Sequence, residues 1–598
     1  MRKISLYTFF LCALLIVGAG TFFYPKWKQS GSEATLSWDV SGYYMYLPAF
    51  FIYKDAKQCS FQNQVLLKYQ PTPDFQQAMK LENGNYVFKY SSGQAVMMSP
   101  FFFMGHFIAK KTKWLNDGFS YPYQVCIGVG MLIYALIGLW VLRKILLEYF
   151  SDNATALGLF TITFASNYFN YAAIDGAMTH NTLFTVYALL VWATIRFYKN
   201  PTVVRATIIG ALCGLAALTR PTEIVSILIP VFWGLGSWSE AGQRIAFFKK
   251  NLRYLLAAGF VLICIGSIQP LYWKWVSGHW IVYSYGNEGF DWLSPHFYNG
   301  MFSSRSGWIT YSPAMLLVFA GFPFLYKKSK QLFFGVAVFS AAFMYLCFAW
   351  QTWWYGGSLG IRSMVQSYPL LVIAIAAFFE WFLKQAKLWR LIMAAFLLFC
   401  TYYNFWLTYQ AHKGGLLRAG EMTDAYLKAI LFQYEVEPET QFLLDQPDRH
   451  TQPPVSSSVI YSNDFEQESA EHATTENAIN GKSIFLNQQK QFTPEYLFKV
   501  PEGTKGWLRV TADFRATQKE WNTWRMMQLV VKFYNGDYVV KSNYIRVFRV
   551  LGDGETKRIY LDADIPSESF DRVAVLCWNA DSDKLILIDN LKVLLMEE

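Results

Sequence analysis

Charge is what this sequence has least of. Among 598 residues only 16% are Asp, Glu, Lys or Arg, against roughly 25% in an ordinary soluble domain. That scarcity excludes a string of water-soluble domains, the organisation that length alone would suggest. Cysteine is sparse as well, with eight in the chain and none at zinc-site spacing. Cys12, Cys126, Cys213, Cys264, Cys347 and Cys400 fall inside apolar runs, where a small buried hydrophobe is the expected role. Cys59 and Cys577 fall outside such runs, and a disulfide between them is left open. Internal repeats and low-complexity segments are absent. The net charge of +10 is no signal for nucleic acid, because much of it sits in short loops between apolar runs.

Apolar and aromatic residues are what the chain has instead. Hydrophobic residues reach 54% and aromatics 19%, and mean hydropathy is +0.19. Such runs between short basic loops indicate a polytopic α-helical membrane protein. The apolar stretch from Met1-Arg2-Lys3 to Tyr24 is read as a retained first helix, because Phe22-Phe23-Tyr24 replace the small residues of a cleavage site. Further spans are expected at 122–142, 154–172, 181–198, 203–219, 221–238, 254–276, 311–326, 332–350, 364–383 and 389–409, making about eleven. Arg2, Lys3, Arg143, Lys144, Arg196, Lys199, Arg205, Arg244, Lys249, Lys250, Lys327, Lys328, Lys330, Lys384, Lys387 and Arg390 all fall on one side. By the positive-inside rule that side is cytoplasmic, which puts the N-terminus inside and the C-terminus outside. Residues 95–109 (AVMMSPFFFMGHFIA) are apolar but short, and fit an amphipathic helix in the outer interface.

Three external segments stand out, at 25–121, 277–310 and 350–362. The expected organisation is a transmembrane domain over 1–410, a connector over 411–455 ending near Pro453-Pro454, and a further domain over 456–598. In that last part strand-like runs such as Trp507–Val510, Leu529–Phe533, Tyr544–Val547, Arg558–Leu561 and Val573–Leu576 alternate with turn signals, Asn535-Gly536-Asp537 and Gly552-Asp553-Gly554. This pattern predicts an all-β sandwich, jelly-roll-like, outside the membrane.

Ionisable residues at the outer ends of helices are the informative ones, because holding them there is costly. Asp39 lies in an aromatic stretch shortly after the first helix; a solvated loop carboxylate or a helix cap is the plain alternative. Asp175 and His180 share a short outer turn (IDGAMTHN), where turn chemistry alone would account for them. Arg220 and Glu223 occupy a tight outer turn, where the positive-inside rule disfavours Arg; pairing of the two charges is expected if the turn is only structural. Arg305 and Arg362 present planar forks suited to phosphate, or simply snorkel. Glu288 and Asp291 share the external loop of Arg305, and Trp353-Trp354 form either an aromatic belt or a sugar platform. No span carries a charge near its centre. A channel or proton-coupled carrier would place one there, so the site is expected at the outer surface.

These features resemble the GT-C superfamily of polytopic glycosyltransferases, in the branch of protein O-mannosyltransferases and aminoarabinose transferases. The residues that carry the resemblance are Trp38-Asp39, Lys89–Gly93 leading into Ser99-Pro100-Phe101, Met178–Asn181, Leu218–Thr222, Phe302–Gly307 and Trp353–Arg362. It covers about 1–410, and the Asp39-Val40 pair departs from the acidic pair common in that family. The resemblance implies an enzyme of a bacterial inner membrane, its C-terminal domain periplasmic. Its reaction would be inverting transfer of a sugar from a polyprenyl-phosphate donor to a hydroxyl acceptor on protein, lipid or glycan. Asp39 would be the general base, and Arg305, Arg362 and Arg220 would hold the lipid phosphate. His180, Asp175, Glu288, Trp353, Trp354 and Tyr43 would line the substrate site. No cofactor is required by this scheme; a divalent metal is left open, with Asp175 and Glu288 as candidate ligands. The β-domain resembles carbohydrate-binding jelly rolls, including its closing Ile588–Val593. Two other readings stand beside this one. One is a non-catalytic glycan-binding scaffold or export component. The other is an oligosaccharide transferase using a pyrophosphate-linked donor, for which Trp353-Trp354-Tyr355 is the nearest approach to a Trp-Trp-Asp motif.

Overall fold

The computed structural model describes residues 3–447, 449–450, 454–501 and 504–597. Arg2, one of the charges read for orientation, and Pro453 of the connector lie outside them. The chain divides into two compact units, Met1–Gly420 and Glu421–Glu598.

Six helical segments of the first unit are long and apolar enough to cross a membrane: Ile4–Lys28, Tyr121–Tyr149, Leu252–Ser277, Lys330–Ala349, Arg362–Phe382 and Lys387–Gly414. The other five expected spans coincide with shorter or less apolar elements. Asp152–Phe164 breaks before Tyr168–Ala173, and the 221–238 stretch is only a 3-10 turn, Pro221–Ile227, running into Leu228–Phe232. Val203–Thr219, Leu316–Lys328 and the more polar Thr179–Lys199 complete the set. The 13 residues of Asp152–Phe164 extend about 20 Å at a helical rise of ~1.5 Å, less than the ~30 Å of a bilayer's hydrocarbon core.

Burial separates central from peripheral helices. The Arg362–Phe382 window is 89% buried, whereas that of Leu252–Ser277 is 11% buried, with Leu256, Phe260 and Ile263 exposed. Cys264 lies on this peripheral helix and is exposed, unlike the other apolar-run cysteines. Glycines let pairs of helices approach backbone to backbone. A Cβ on Gly210 would lie 2.1 Å from the Ala258 carbonyl oxygen, and one on Gly214 would press on Leu262. Gly321 meets the Ala374 oxygen in the same way, also at 2.1 Å. Small residues at four-residue spacing are how apolar helices pack closely where lipid removes the hydrophobic drive.

The 25–121 segment is folded. Its apolar-aromatic stretch forms two short helices, Trp38–Tyr44 and Tyr46–Phe51, followed by Gln62–Tyr69 and a hairpin pairing Ala78–Lys80 with Tyr86–Phe88. Leu36, Tyr44, Tyr46, Phe88 and Phe102 make its core. The 95–109 run lies within the helix Gly93–Lys111, packed along Tyr121–Tyr149. The 277–310 and 350–362 segments pair through a Phe290–Trp350 bridge, with the Gln351 amide donating to the Gly289 carbonyl at 2.9 Å.

The second unit holds two antiparallel sheets. In the larger, Trp507–Ala516 lies between Thr556–Asp564 and Ile586–Glu597. In the smaller, Gln528–Asn535 lies between Arg572–Trp578 and Tyr538–Arg546. Leu508, Val510, Ala512 and Phe514 of one sheet and Leu529, Val531 and Phe533 of the other share one core. Period-two alternation therefore builds the sandwich expected from the sequence. The Asn535-Gly536-Asp537 signal is a tight hairpin, with Asn535 opposite Tyr538 and Gly536 at φ +58. Residues 421–447 belong to this unit: buried Asp445 bonds Arg546 and Arg549, and Glu421 bonds Arg549. Cys59 and Cys577 are both free and buried.

The glycine contacts carry a direct expectation. Gly210→Val or Gly321→Val should destabilise the first unit by about 1–3 kcal/mol through overpacking. The readout is the thermal midpoint in detergent; an unchanged midpoint would show that the helices can part freely.

Candidate functional site

Asp39 sits in the first turn of the Trp38–Tyr44 helix. Trp38 takes a left-handed backbone, φ 46, an uncommon state for a bulky residue. Its amide donates to the Pro71 carbonyl at 3.0 Å. Asp39 is therefore neither a solvated loop residue nor a cap. Its Oδ2 accepts from Arg362 Nη2 at 2.6 Å, and its Oδ1 from the Tyr90 hydroxyl at 2.8 Å. Burial alone would push the carboxyl up, but Arg362, Tyr90 and Lys89 outweigh it and hold it below its usual value. Tyr43 packs against Tyr90 with ring centroids 4.3 Å apart and the planes tilted by 40°. Burial and then the Asp39 charge push the Tyr43 hydroxyl up.

A buried polar network sets the position of Arg362. The Arg362 amide donates to Ser358 Oγ at 3.1 Å, the Leu359 amide to the Tyr171 hydroxyl at 3.0 Å, and Asn167 Nδ2 to the Leu359 carbonyl at 3.0 Å. The Tyr368 hydroxyl donates to Asn167 Oδ1 at 2.6 Å and accepts from Trp308 Nε1 at 2.9 Å. Gly360, at φ +65, turns this loop where a Cβ would lie 3.0 Å from Tyr311 and 3.2 Å from Asn167. The guanidinium spends one N–H on Asp39, and its Nε is buried without a partner.

Arg220 stands at the end of Val203–Thr219. The turn before it is pressed against Gly93, whose added Cβ would lie 2.3 Å from the Thr219 amide nitrogen. The expected pairing with Glu223 is not formed: Glu223 accepts from the Tyr187 hydroxyl at 2.5 Å and from Gln366 Nε2 at 2.7 Å. The Arg220 guanidinium lies 5.8 Å from the Tyr355 ring centroid and makes no hydrogen bond or ion pair with any described residue. Tyr43, Tyr285, Tyr355 and Glu223 surround it. Tyr355, at φ 56, is another aromatic residue with a left-handed backbone.

His180, in the first turn of Thr179–Lys199, completes the cluster. Its Nδ1 is 2.7 Å from Gln366 Oε1. Because the Gln366 amide nitrogen is committed to Glu223, the Gln366 oxygen faces His180, so Nδ1 carries the proton and Nε2 keeps its lone pair. Arg220 and Arg362 both face this ring.

The structure therefore gathers Asp39, Tyr43, His180, Arg220 and Arg362 in one place. The remaining candidates do not join them through any contact. Asp175 is engaged by Lys26 at 2.9 Å and by Asn170 at 2.9 Å, with His412 Nε2 at 3.7 Å. Burial would raise its carboxyl, but Lys26, His412 and Asn170 hold it well below the usual range. Glu288 pairs with Lys89 at 3.7 Å. Arg305 lies flat on Trp354, 3.6 Å from the ring centroid, and donates to the Gly420 carbonyl at 2.6 Å. Trp353 is buried at 7% exposure. Among the described residues no three His, Cys, Asp or Glu side chains come together as a metal site. The Lys26 and Lys89 partners leave Asp175 and Glu288 ill suited to that role.

Tyr90, Tyr285, Tyr355 and Gln366 are site residues that a search for charged groups passes over. Gln366 carried a readable signal, as an amide inside an apolar stretch (RSMVQSYPLL).

No protein-family model matches the chain, and no curated protein matches its sequence. Among solved structures, a family 16 carbohydrate-binding module aligns with 20% of this chain and 82% of its own, at 19% identity and TM-score 0.17. The arabinosyltransferase EmbB from Mycobacterium smegmatis aligns with 78% of this chain at 14% identity and TM-score 0.26. The chain spans 57% of the length of EmbB. At TM-scores this low neither likeness establishes a shared fold.

The Asp39–Arg362 pair gives a pH prediction. With a depressed carboxyl, its stabilisation is full at neutral pH and is lost only as pH falls through the lowered value. In Arg362→Gln burial acts without the guanidinium, so the Asp39 carboxyl should rise and the sign should invert. Stability would then fall as pH rises through the raised value. Thermal midpoints of both proteins from mildly acidic to neutral pH check this; parallel curves would contradict it.

Proposed function

We propose that the chain is a membrane glycosyltransferase that moves a sugar from a polyprenyl-phosphate donor to a hydroxyl acceptor. The observation that carries the reading is Arg220. A partly buried guanidinium with no hydrogen-bond or ion-pair partner among the described residues, beside the Arg362–Asp39 pair, is a cation suited to an anionic ligand. A phosphate bridging Arg220 and Arg362 would put the sugar's anomeric carbon near Asp39. The acceptor oxygen then attacks that carbon while its proton passes to the Asp39 carboxylate. The bond from carbon to phosphate oxygen breaks, and its electrons leave with the polyprenyl phosphate. The two arginines stabilise the charge that develops there, and attack from the face opposite the leaving group inverts the anomeric centre. In this reading His180 Nε2 accepts from a sugar hydroxyl, and Tyr43 flanks the ring. No cofactor enters this scheme.

The reading puts the site on the extracytoplasmic face of a bacterial inner membrane, because Arg143, Lys144, Arg196 and Lys199 fall at the other ends of the helices. The sandwich would then lie in the periplasm.

The test is sugar release by the purified full chain from a panel of polyprenyl-phosphate monosaccharides. Asp39→Asn should lower turnover by ~10²–10⁴-fold, the range for loss of a general base, with folding intact. Full activity in that variant would remove Asp39 from the role. A second reading, a glycan-binding scaffold, is favoured by one observation: Trp521 and Trp524 of the sandwich are 73% and 76% exposed, as stacking platforms for sugar rings would be. It predicts glycan affinity that Trp521→Ala and Trp524→Ala abolish, with Asp39 and Arg220 dispensable.

A further inference from the structure

We infer that Arg362 is passed from Asp39 to the donor phosphate, so that donor binding itself releases the base. This rests on the transferase reading and adds to it how Asp39 becomes basic.

As the site stands, Asp39 is a poor proton acceptor. Its two oxygens are taken by Arg362 at 2.6 Å and Tyr90 at 2.8 Å, and a carboxylate so satisfied gains little from a proton. Arg362, by contrast, is under-used. One of its five N–H groups reaches Asp39, while Nε is buried with no partner. Its backbone is pinned by Ser358 and by the turn at Gly360, so only the side chain is free to re-aim. Arg220 acts electrostatically on Tyr43 and His180, the same two side chains that feel Arg362. A phosphate drawn to Arg220 therefore offers Arg362 a second anion and an outlet for its orphaned Nε–H. Planar two-point pairing of that kind favours phosphate oxygens.

Once Arg362 turns, the groups facing Asp39 are the Tyr90 hydroxyl, Lys89, Tyr43 and Tyr285. Of these only Lys89 is cationic, and it is paired with Glu288 at 3.7 Å. Burial, the largest influence on the carboxylate, is then opposed only by the Tyr90 hydrogen bond and Lys89, and its affinity for a proton rises. The base is thus strong only while a donor is in place. When the polyprenyl phosphate leaves, Arg362 returns and Asp39 gives its proton to water.

Competition for one guanidinium makes an inverse prediction. Removing the Asp39 charge should strengthen phosphate binding, because the fraction of protein with Arg362 free is no longer limiting. With farnesyl phosphate as the probe and inorganic phosphate beside it, calorimetry on the full chain should show affinity tightening about 3–10-fold in Asp39→Asn. The gain should vanish when Arg362→Gln is added to the same protein. Asp39→Ser serves if the Asn variant does not fold, and a thermal melt reports folding of each. Tighter binding of farnesyl than of inorganic phosphate identifies the lipid-linked anion as the ligand. Unchanged or weaker phosphate affinity in a folded Asp39 variant overturns the exchange. If sugar transfer persists in the wild type alongside that result, the transferase reading survives alone. Neither binding nor transfer in the wild type overturns both.

Discussion

An ion pair between Asp39 and Arg362, 323 residues apart in sequence, ties the 25–121 segment to the head of the most buried of the six membrane-length helical segments. Two charges removed from water persist only when paired and hydrogen-bonded, and much of the surrounding structure meets that condition. The Trp38–Tyr44 helix sets Asp39 in its first turn, with Tyr90 supplying the second hydrogen bond. The Ser358–Arg362 loop, held by Asn167, Tyr171 and Tyr368, sets Arg362. A second chain of polar groups, Tyr187–Glu223–Gln366–His180, runs beside the pair and binds three helical segments together. Apart from Tyr187, inside the Thr179–Lys199 helix, the members of both networks lie at or near helix ends or in the loops between them.

Close packing of the helices keeps the charges in register. Gly93 lets the start of its helix touch the Leu218–Thr219 backbone just before Arg220, so the placement of one arginine depends on a missing side chain. Gly210 and Gly321 do the same for the helix pairs that carry the two arms of the site. Rigid supports thus hold, beside the Asp39–Arg362 pair, a second guanidinium with no hydrogen-bond or ion-pair partner among the described residues. The sandwich is a separate construction, with its own core and the buried Asp445–Arg546–Arg549 cluster.

Composition and periodicity carried most of the architecture. Apolar runs located the six membrane-length helical segments of the first unit, and alternation located the principal strands, because both signals are local. The short helices were harder to read: 221–238 looks like one span, yet Pro221 and the buried polar needs of Glu223 turn it into a 3-10 segment. Asp39, Tyr43, His180, Arg220 and Arg362 were legible as chemistry-bearing residues at helix ends, but their meeting was not, since it depends on tertiary contacts across the whole unit. Arg305 and Trp354 show the converse: each looked like ligand-binding chemistry, and each spends itself on the other. Gln366, Tyr90 and Tyr285 are less legible, because a neutral polar group carries no charge signal at a helix end.

The account turns on where a phosphate sits. The most direct measurement is a structure of the full chain with a non-transferable polyprenyl phosphonate sugar. The phosphonate oxygens should lie within hydrogen-bond distance of both Arg220 and Arg362, with the anomeric carbon facing an Asp39 that has lost its arginine. A phosphonate bound at Arg305 instead, with the Asp39–Arg362 pair intact, would contradict the account.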